Sequence, residues 1–286
     1  MTPEPALVGR RAVVTGAASG LGRAFALGLG RAGADVALCD VDPAVEAVAA
    51  EVEDLGRRSL GVVADVADED DVRSFVTTSA DALGGIDLVV NNAGIIRATP
   101  PLGPDLSTAI RDFDDVVGVN LRGTFLVGRA CMPHLVHRGG DVVNISTDHM
   151  HNCGYPVAVG HADAPLCLGA TRRRPPGGGR DLDVYDASKW AITGLTLAWA
   201  RALREHGVRV NTLGMGATDT PMYRAWIRAG GAPRPGLLSP EAVADVLVAL
   251  VAEGPSGRTG DDVQVWDGHP VGLPAVFVDQ DMVAAR

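Results

Sequence analysis

Basic residues and aromatics are both scarce in this sequence. Lys and Arg number 25 against 35 Asp and Glu, giving a formal charge of −10, and aromatics make up 4% of the 286 residues. A surface of that sign repels phosphate backbones and anionic headgroups, so neither nucleic acid nor a membrane surface is an expected partner. No apolar run approaches the roughly 18 residues of a membrane span. The opening Met-Thr-Pro-Glu-Pro has neither a basic n-region nor an apolar h-region. The expected location is therefore the cytoplasm. Cys39, Cys131, Cys153 and Cys167 are scattered without CxxC spacing, which implies no disulfide framework and suits a reducing compartment. No internal repeat is visible. With 47% hydrophobic and 21% charged residues the chain can bury a core, which excludes disordered, collagen-like and coiled-coil classes.

What is present is an alternation. Short β-branched runs at 12–15, 35–39, 59–63, 88–91, 141–145, 209–212 and 262–265 are separated by amphipathic segments at 21–32, 43–55, 69–83, 107–137, 187–206 and 240–251. Strands spaced by helical crossovers predict a parallel sheet. The expected fold class is α/β: a doubly wound Rossmann fold, a seven-stranded parallel sheet flanked by helices, in one domain over 1–286. Residues 148–183 interrupt the rhythm. They hold an Arg-Arg-Arg run at 172–174 and a Pro-Pro-Gly-Gly-Gly stretch, and they predict a long loop.

The first strand runs into Thr15-Gly16-Ala17-Ala18-Ser19-Gly20-Leu21-Gly22 and then an apolar helix. Glycines there allow a tight turn and let a pyrophosphate approach the helix N-terminus. Asp40 ends the second strand, 24 positions after Gly16, where a carboxylate accepts from the adenosine ribose hydroxyls and repels a 2′-phosphate. With Ser19, not a base, before Gly20, NAD is the expected cofactor. The alternative for Asp40 is a turn-initiating carboxylate before Asp42-Pro43. Asp65-Val66 is placed to cap the adenine edge, and Asn92, Ala93 and Gly94 to flank the nicotinamide ribose. These are also ordinary strand-end turns.

Tyr185 and Lys189 lie four apart on one face of a predicted helix. A phenol is a poor acid or base near neutrality unless a neighbouring cation favours its phenolate, which an ammonium one turn away does.

Taken in order, the motifs at 15–22, Asp40, Asp65, 91–94, Asn120, Asn144-Ile-Ser-Thr147, Tyr185 to Lys189, Val210-Asn-Thr212 and Thr218 to Met222 resemble the short-chain dehydrogenase/reductase family over about residues 9–268. The resemblance implies a catalytic set of Asn120, Thr147, Tyr185 and Lys189. In it Tyr185 exchanges the proton with the substrate oxygen, Lys189 lowers its pKa and binds ribose, Thr147 polarises the oxygen, and Asn120 holds a relay water or bridges helix backbone. It also places Leu21, Thr218 and Thr220 at the cofactor.

Three features depart from the family pattern. Thr147 stands where a second serine is usual, which keeps Ser146 as a second candidate. Thr147 and Tyr185 are 38 positions apart, so the loop is an insertion that belongs over the substrate pocket. Met215-Gly216 replaces Pro-Gly. Asp148 and His149 are the insertion residues expected to touch substrate. His149, His151, Cys153, His161 and Cys167 raise the question of a metal, but their spacing fits no zinc pattern and none is expected. The arginines at 172–174 and 180 either bind an anionic group or face solvent or a subunit.

The expected function is NAD-dependent interconversion of a secondary alcohol and a ketone, with oxidation the expected direction. The alternatives are a catalytically silent NAD-binding regulator or an epimerase or dehydratase of nucleotide sugars, which would carry a longer C-terminal domain. A homotetramer or homodimer is expected, with the tail at 269–286 either at the interface or frayed.

Overall fold

The computed structural model describes residues 5–148, 182–231 and 236–265. Seven strands, β1 (Arg11–Thr15), β2 (Asp35–Asp40), β3 (Ser59–Val63), β4 (Leu88–Asn91), β5 (Gly140–Ile145), β6 (Val208–Met215) and β7 (Asp262–Val265), form one sheet. All pair in parallel, in the order β3-β2-β1-β4-β5-β6-β7. The order reverses direction between β1 and β4, the switch point at which open α/β sheets leave a crevice beyond their strand ends.

Alternate strand residues feed two cores. Val14, Leu38, Val90 and Val143 meet α1 (Gly20–Arg31), α2 (Val45–Glu53) and α8 (Pro240–Ala252) on one face. Val13, Ala37, Val89 and Val142 meet α3 (Glu69–Leu83), α5 (Thr124–Arg138) and α6 (Asp183–Leu203) on the other. Burial on both faces is why the strands read as β-branched runs rather than as alternating polar and apolar residues.

The single helix expected over 107–137 is instead α4 (Leu106–Val117), a wide π-helical turn at Gly118–Gly123, and α5. At the end of that turn Thr124 Oγ1 donates to the Asn120 carbonyl at 2.7 Å. β6 runs to Met215 rather than stopping at 212, and α6 begins at Asp183 rather than Ala187. One helix was not expected at all, α7 (Pro221–Arg228), capped by Thr220 and opened by Pro221. The Thr-Pro pair is a sequence signal for such a start. No helix among the described residues is long and apolar enough to cross a membrane.

At the N-terminal edge of the sheet lies a chain of buried charges. Arg10 Nε donates to Asp87 at 2.7 Å, its Nη2 donates to Asp141 at 2.6 Å, and Arg11 Nε donates to Asp87 at 2.8 Å. Arg209 meets Asp141 at 2.6 Å and donates to the Val251 carbonyl, near the end of α8, at 3.0 Å. Asp87 therefore holds two neighbouring cations at the start of β1, and Asp141 bridges Arg10 there to Arg209 of β6.

Candidate active site

The glycine turn after β1 is held from β4. Asn92 Nδ2 donates to the carbonyls of Thr15 and Gly16, both at 2.9 Å, and Thr15 Oγ1 accepts from the amides of Asn92 and Ala93. The fit leaves no room for side chains. A Cβ on Gly22 would lie 2.0 Å from the Gly16 carbonyl oxygen, and one on Gly16 would lie 2.7 Å from Ala93 Cα. Gly16 and Gly20 also take φ of +63° and +54°, which favours glycine. Ser19 precedes α1 in extended conformation without a side-chain cap, and the first turn carries no acid. The first turn of α1 therefore carries no carboxylate of its own, and its amides are left uncapped for an anion such as a pyrophosphate.

Asp40 Oδ2 accepts from the Ala18 amide at 2.9 Å and Oδ1 from the Asp42 amide at 3.0 Å. The carboxylate thus ties the glycine turn to the end of β2 and initiates the following turn, and each oxygen keeps a lone pair for a further donor. Asp65 is exposed and turns its Oδ1 onto the Ala67 amide, while Val66 is buried and packs against Gly123. Thr220 Oγ1 accepts from Tyr223 N at 3.2 Å, and Thr218 Oγ1 donates to the Gly216 carbonyl at 3.0 Å. Pro221 and Thr220 lie against Gly20, so the loop after β6 closes over the glycine turn. These residues fit a dinucleotide.

The chemical half lies beyond the C-terminal ends of β4 and β5. Asn120 is fully buried. Its Oδ1 accepts from Ile95 N at 2.8 Å, and its Nδ2 donates to the Ile95 carbonyl and to Ser188 Oγ, both at 3.1 Å. Ser188 Oγ in turn donates to the Tyr185 carbonyl at 2.7 Å. The Asn120 carboxamide thus bridges the loop backbone after β4 and a side chain of α6, not helix backbone, and Ser188 joins the site with a role that sequence reasoning did not give it. Asn144, at the end of β5, stands in a motif named above but had no role assigned to it. Its Oδ1 accepts from Asn91 Nδ2 and its Nδ2 donates to Thr196, both at 2.8 Å, which ties β4 and β5 to α6.

Lys189 reaches under the sheet end, 4% exposed, and its Nζ donates to the Ile145 carbonyl at 2.9 Å. Desolvation pulls its pKa down to about 8. The ammonium lies 5.8 Å from the centroid of the Tyr185 ring. Tyr185 shares a side-chain hydrogen bond with Thr147, which favours its phenolate. Burial nevertheless raises the phenol above its ordinary value, and the charges of Asp186 and Asp148 add to that. The expected lowering by the ammonium is not what the structure has: desolvation sets the direction, and the opposing contribution comes from Thr147. Ser146, Thr147 and Asp148 are all buried at the end of β5. His149, the histidines, cysteines and arginines of the insertion, and the tail at 269–286 lie outside the described residues. Among the described residues, no three His, Cys, Asp or Glu converge to hold a metal.

Comparison with known proteins bears on the family and the fold. A family model described as short chain dehydrogenase matches residues 10–159, and one described as enoyl-(acyl carrier protein) reductase matches 176–269. L-Fucose dehydrogenase of Oryctolagus cuniculus is 32% identical, covering 92% of this chain and 86% of that protein. Cis-4-hydroxycyclohexanecarboxylate dehydrogenase of Sinomonas cyclohexanicum is 33% identical, over 91% and 96%. A solved short chain dehydrogenase from Burkholderia cenocepacia in complex with NADP superposes with a TM-score of 0.70 at 34% identity, covering 92% of this chain and 98% of that one.

Proposed function

Because the chain belongs to the short-chain dehydrogenase/reductase family, a family of oxidoreductases that bind a nicotinamide cofactor, we propose that it interconverts a secondary alcohol and a ketone with NAD. The observation that carries this reading is the Thr147–Tyr185 side-chain hydrogen bond, with Lys189 Nζ 5.8 Å from the Tyr185 ring, beside the glycine turn. When bound, the dinucleotide supplies a hydride acceptor or donor at its nicotinamide ring. Tyr185 Oη takes the carbinol proton in oxidation and returns it in reduction. The Thr147 hydroxyl donates to the same substrate oxygen and steadies the charge that develops there. Lys189 spends one of its N–H groups on Ile145 and keeps the others for the ribose hydroxyls and the phenol. Asn120 fixes Ile95, and with it the Gly94 backbone, where a Cβ would sit 3.5 Å from Lys189 Nζ.

Preference for NAD rests on Asp40, whose carboxylate ends β2, and on the absence of a cation at Ser19. The relative solved with NADP makes this the point to measure. Asp40→Ala is expected to weaken NAD binding far more than NADP binding in a fluorescence titration, and equal losses refute the assignment. Tyr185→Phe is expected to abolish the appearance of reduced nicotinamide absorbance with secondary alcohols while cofactor affinity stays near the parent's. A parent that binds NAD yet oxidises no alcohol and reduces no ketone is a regulator instead.

A second copy of the chain is the proposed partner. Leu106, Ile110 and Phe113 form an exposed apolar stripe at helical spacing on α4, and Trp190 and Leu197 form another on α6. Ile110→Asp is expected to convert a dimer or tetramer to smaller species in sedimentation velocity, and an unchanged mass removes α4 from the interface.

A further inference from the structure

Tyr185 stands in the first turn of α6, where a helix frays most readily because its amides have no partner within the helix. Leu182, at the N-cap, offers that turn no side-chain bond. Neighbouring elements hold it instead. Ahead of the tyrosine, Leu182 bridges Thr99, and the Val184 amide meets Asp183 Oδ1 at 2.7 Å and Thr99 Oγ1 at 3.4 Å. Behind it, Asn120 Nδ2 donates to Ser188 Oγ at 3.1 Å, and Ser188 Oγ donates to the Tyr185 carbonyl at 2.7 Å. Asn120 is itself fixed by both backbone groups of Ile95. Asn120 and Ser188 are 0% and 2% exposed, so bulk water does not compete for these bonds.

From this arrangement we infer that Ser188 is a positioning residue for Tyr185, tying the turn that carries the phenol to the segment after β4 by way of Asn120. A serine that donates to the carbonyl three residues before it makes an ordinary local bond. Here the same oxygen also accepts from a buried carboxamide 68 positions away, which turns the local bond into a link between elements. Each bond in the chain from N–H to O–H to carbonyl polarises the next. Held at Leu182 on one side and at Ser188 on the other, the first turn of α6 can neither slide nor rotate without breaking a buried contact. Lys189, next in the chain, takes its position from the end of β5 through Ile145. The phenol and the ammonium are thus seated on different strands, and Ser188 sets the tyrosine's half of their separation. A shift of about 1 Å in such a group costs on the order of a hundredfold in rate.

The inference rests on the oxidoreductase reading for its effect on rate, and a readout that needs no turnover keeps the two apart. Ser188→Ala is compared with the parent and with Ser188→Thr, which keeps the hydroxyl, using NAD and a panel of secondary alcohols. In parallel the Cζ resonances of the three tyrosines are followed in carbon-13-labelled protein, Tyr185 being assigned by its loss in Tyr185→Phe. Ser188→Ala is expected to lower kcat by about tenfold to a hundredfold, with KM for NAD within about twofold of the parent's, and to shift or broaden the Tyr185 resonance. Ser188→Thr is expected to return both to near the parent's values. A Ser188→Ala protein that melts earlier but keeps the parent's kcat per folded molecule and its resonance overturns the inference. So does a loss of kcat matched by an equal rise in KM for NAD, or a Ser188→Thr protein as slow as Ser188→Ala. If Ser188→Ala does not fold, Ser188→Cys, a weaker donor of nearly the same shape, is read in the same way. Its expected loss is smaller and in the same direction, and no loss overturns the inference. A parent that turns over no secondary alcohol or ketone overturns the reading, and the resonance alone then decides whether Ser188 sets the phenol.

Discussion

Lys189 shows how one residue trades stability for chemistry. Its pKa falls from 10.5 to about 8 because the folded protein desolvates the ammonium. The unfolded chain therefore holds its proton over a pH range in which the folded protein has released it, and stability rises with pH between about 8 and 10.5. Below that window the buried charge costs on the order of 3 kcal/mol. Lys189→Met keeps the stem and removes the charge. It is expected to unfold at a higher temperature than the parent at pH 7, to lose the upward slope of stability above pH 8 that belongs to this group, and to lose turnover. A lower melting temperature at pH 7 shows that the Ile145 hydrogen bond outweighs the desolvation. The Tyr-Lys spacing was legible in the sequence because helical geometry puts residues four apart on one face. The rise of the phenol was not, since it depends on burial and on Asp148, 37 positions away.

At the scale of elements, the parallel strands were readable because each is buried on both faces and bounded by turn residues. The break between α4 and α5 was hidden because apolar periodicity runs through Val117 and Leu121 without interruption. Asn120, inside the widened turn, bonds Ile95, 25 positions away, a tie that no local pattern announces. Packing between α5 and α6 is equally non-local. A Cβ on Gly128 would lie 2.4 Å from the Trp199 ring, which is 7% exposed and has no free direction in which to retreat. Gly128→Ala gains about 1 kcal/mol of helix propensity, but it overpacks a rigid indole at a cost of roughly 1–3 kcal/mol. A lower denaturant midpoint is expected, with tryptophan fluorescence altered in the folded state. A midpoint at or above the parent's shows that α5 and α6 separate easily.

Across the whole molecule, charge and chemistry occupy opposite ends of the strands. Arg10, Arg11, Asp87, Asp141 and Arg209 cross-link β1, β4, β5 and β6 at one edge. Arg10 and Asp141 are 131 positions apart, so no local pattern announces the network. Removing one member of a buried set leaves its partners uncompensated, at about 3–5 kcal/mol. Asp141→Asn is expected to lower the free energy of unfolding by an amount of that order while kcat per folded molecule stays at the parent's value. A matching loss of kcat in folded protein shows that the two ends are coupled.

The same division sets what the scaffold tolerates where the chain leaves β5 and re-enters at α6. On the outgoing side, Ser146 N donates to the Leu213 carbonyl at 2.9 Å. On the returning side, Leu182 bridges Thr99 in the segment after β4. Both posts are therefore anchored outside the stretch strung between them, one on β6 and one on the segment after β4. The two ties thus fix where the chain leaves β5 and where it joins α6, and so hold Thr147 and Tyr185, a few residues inside them, at a set separation.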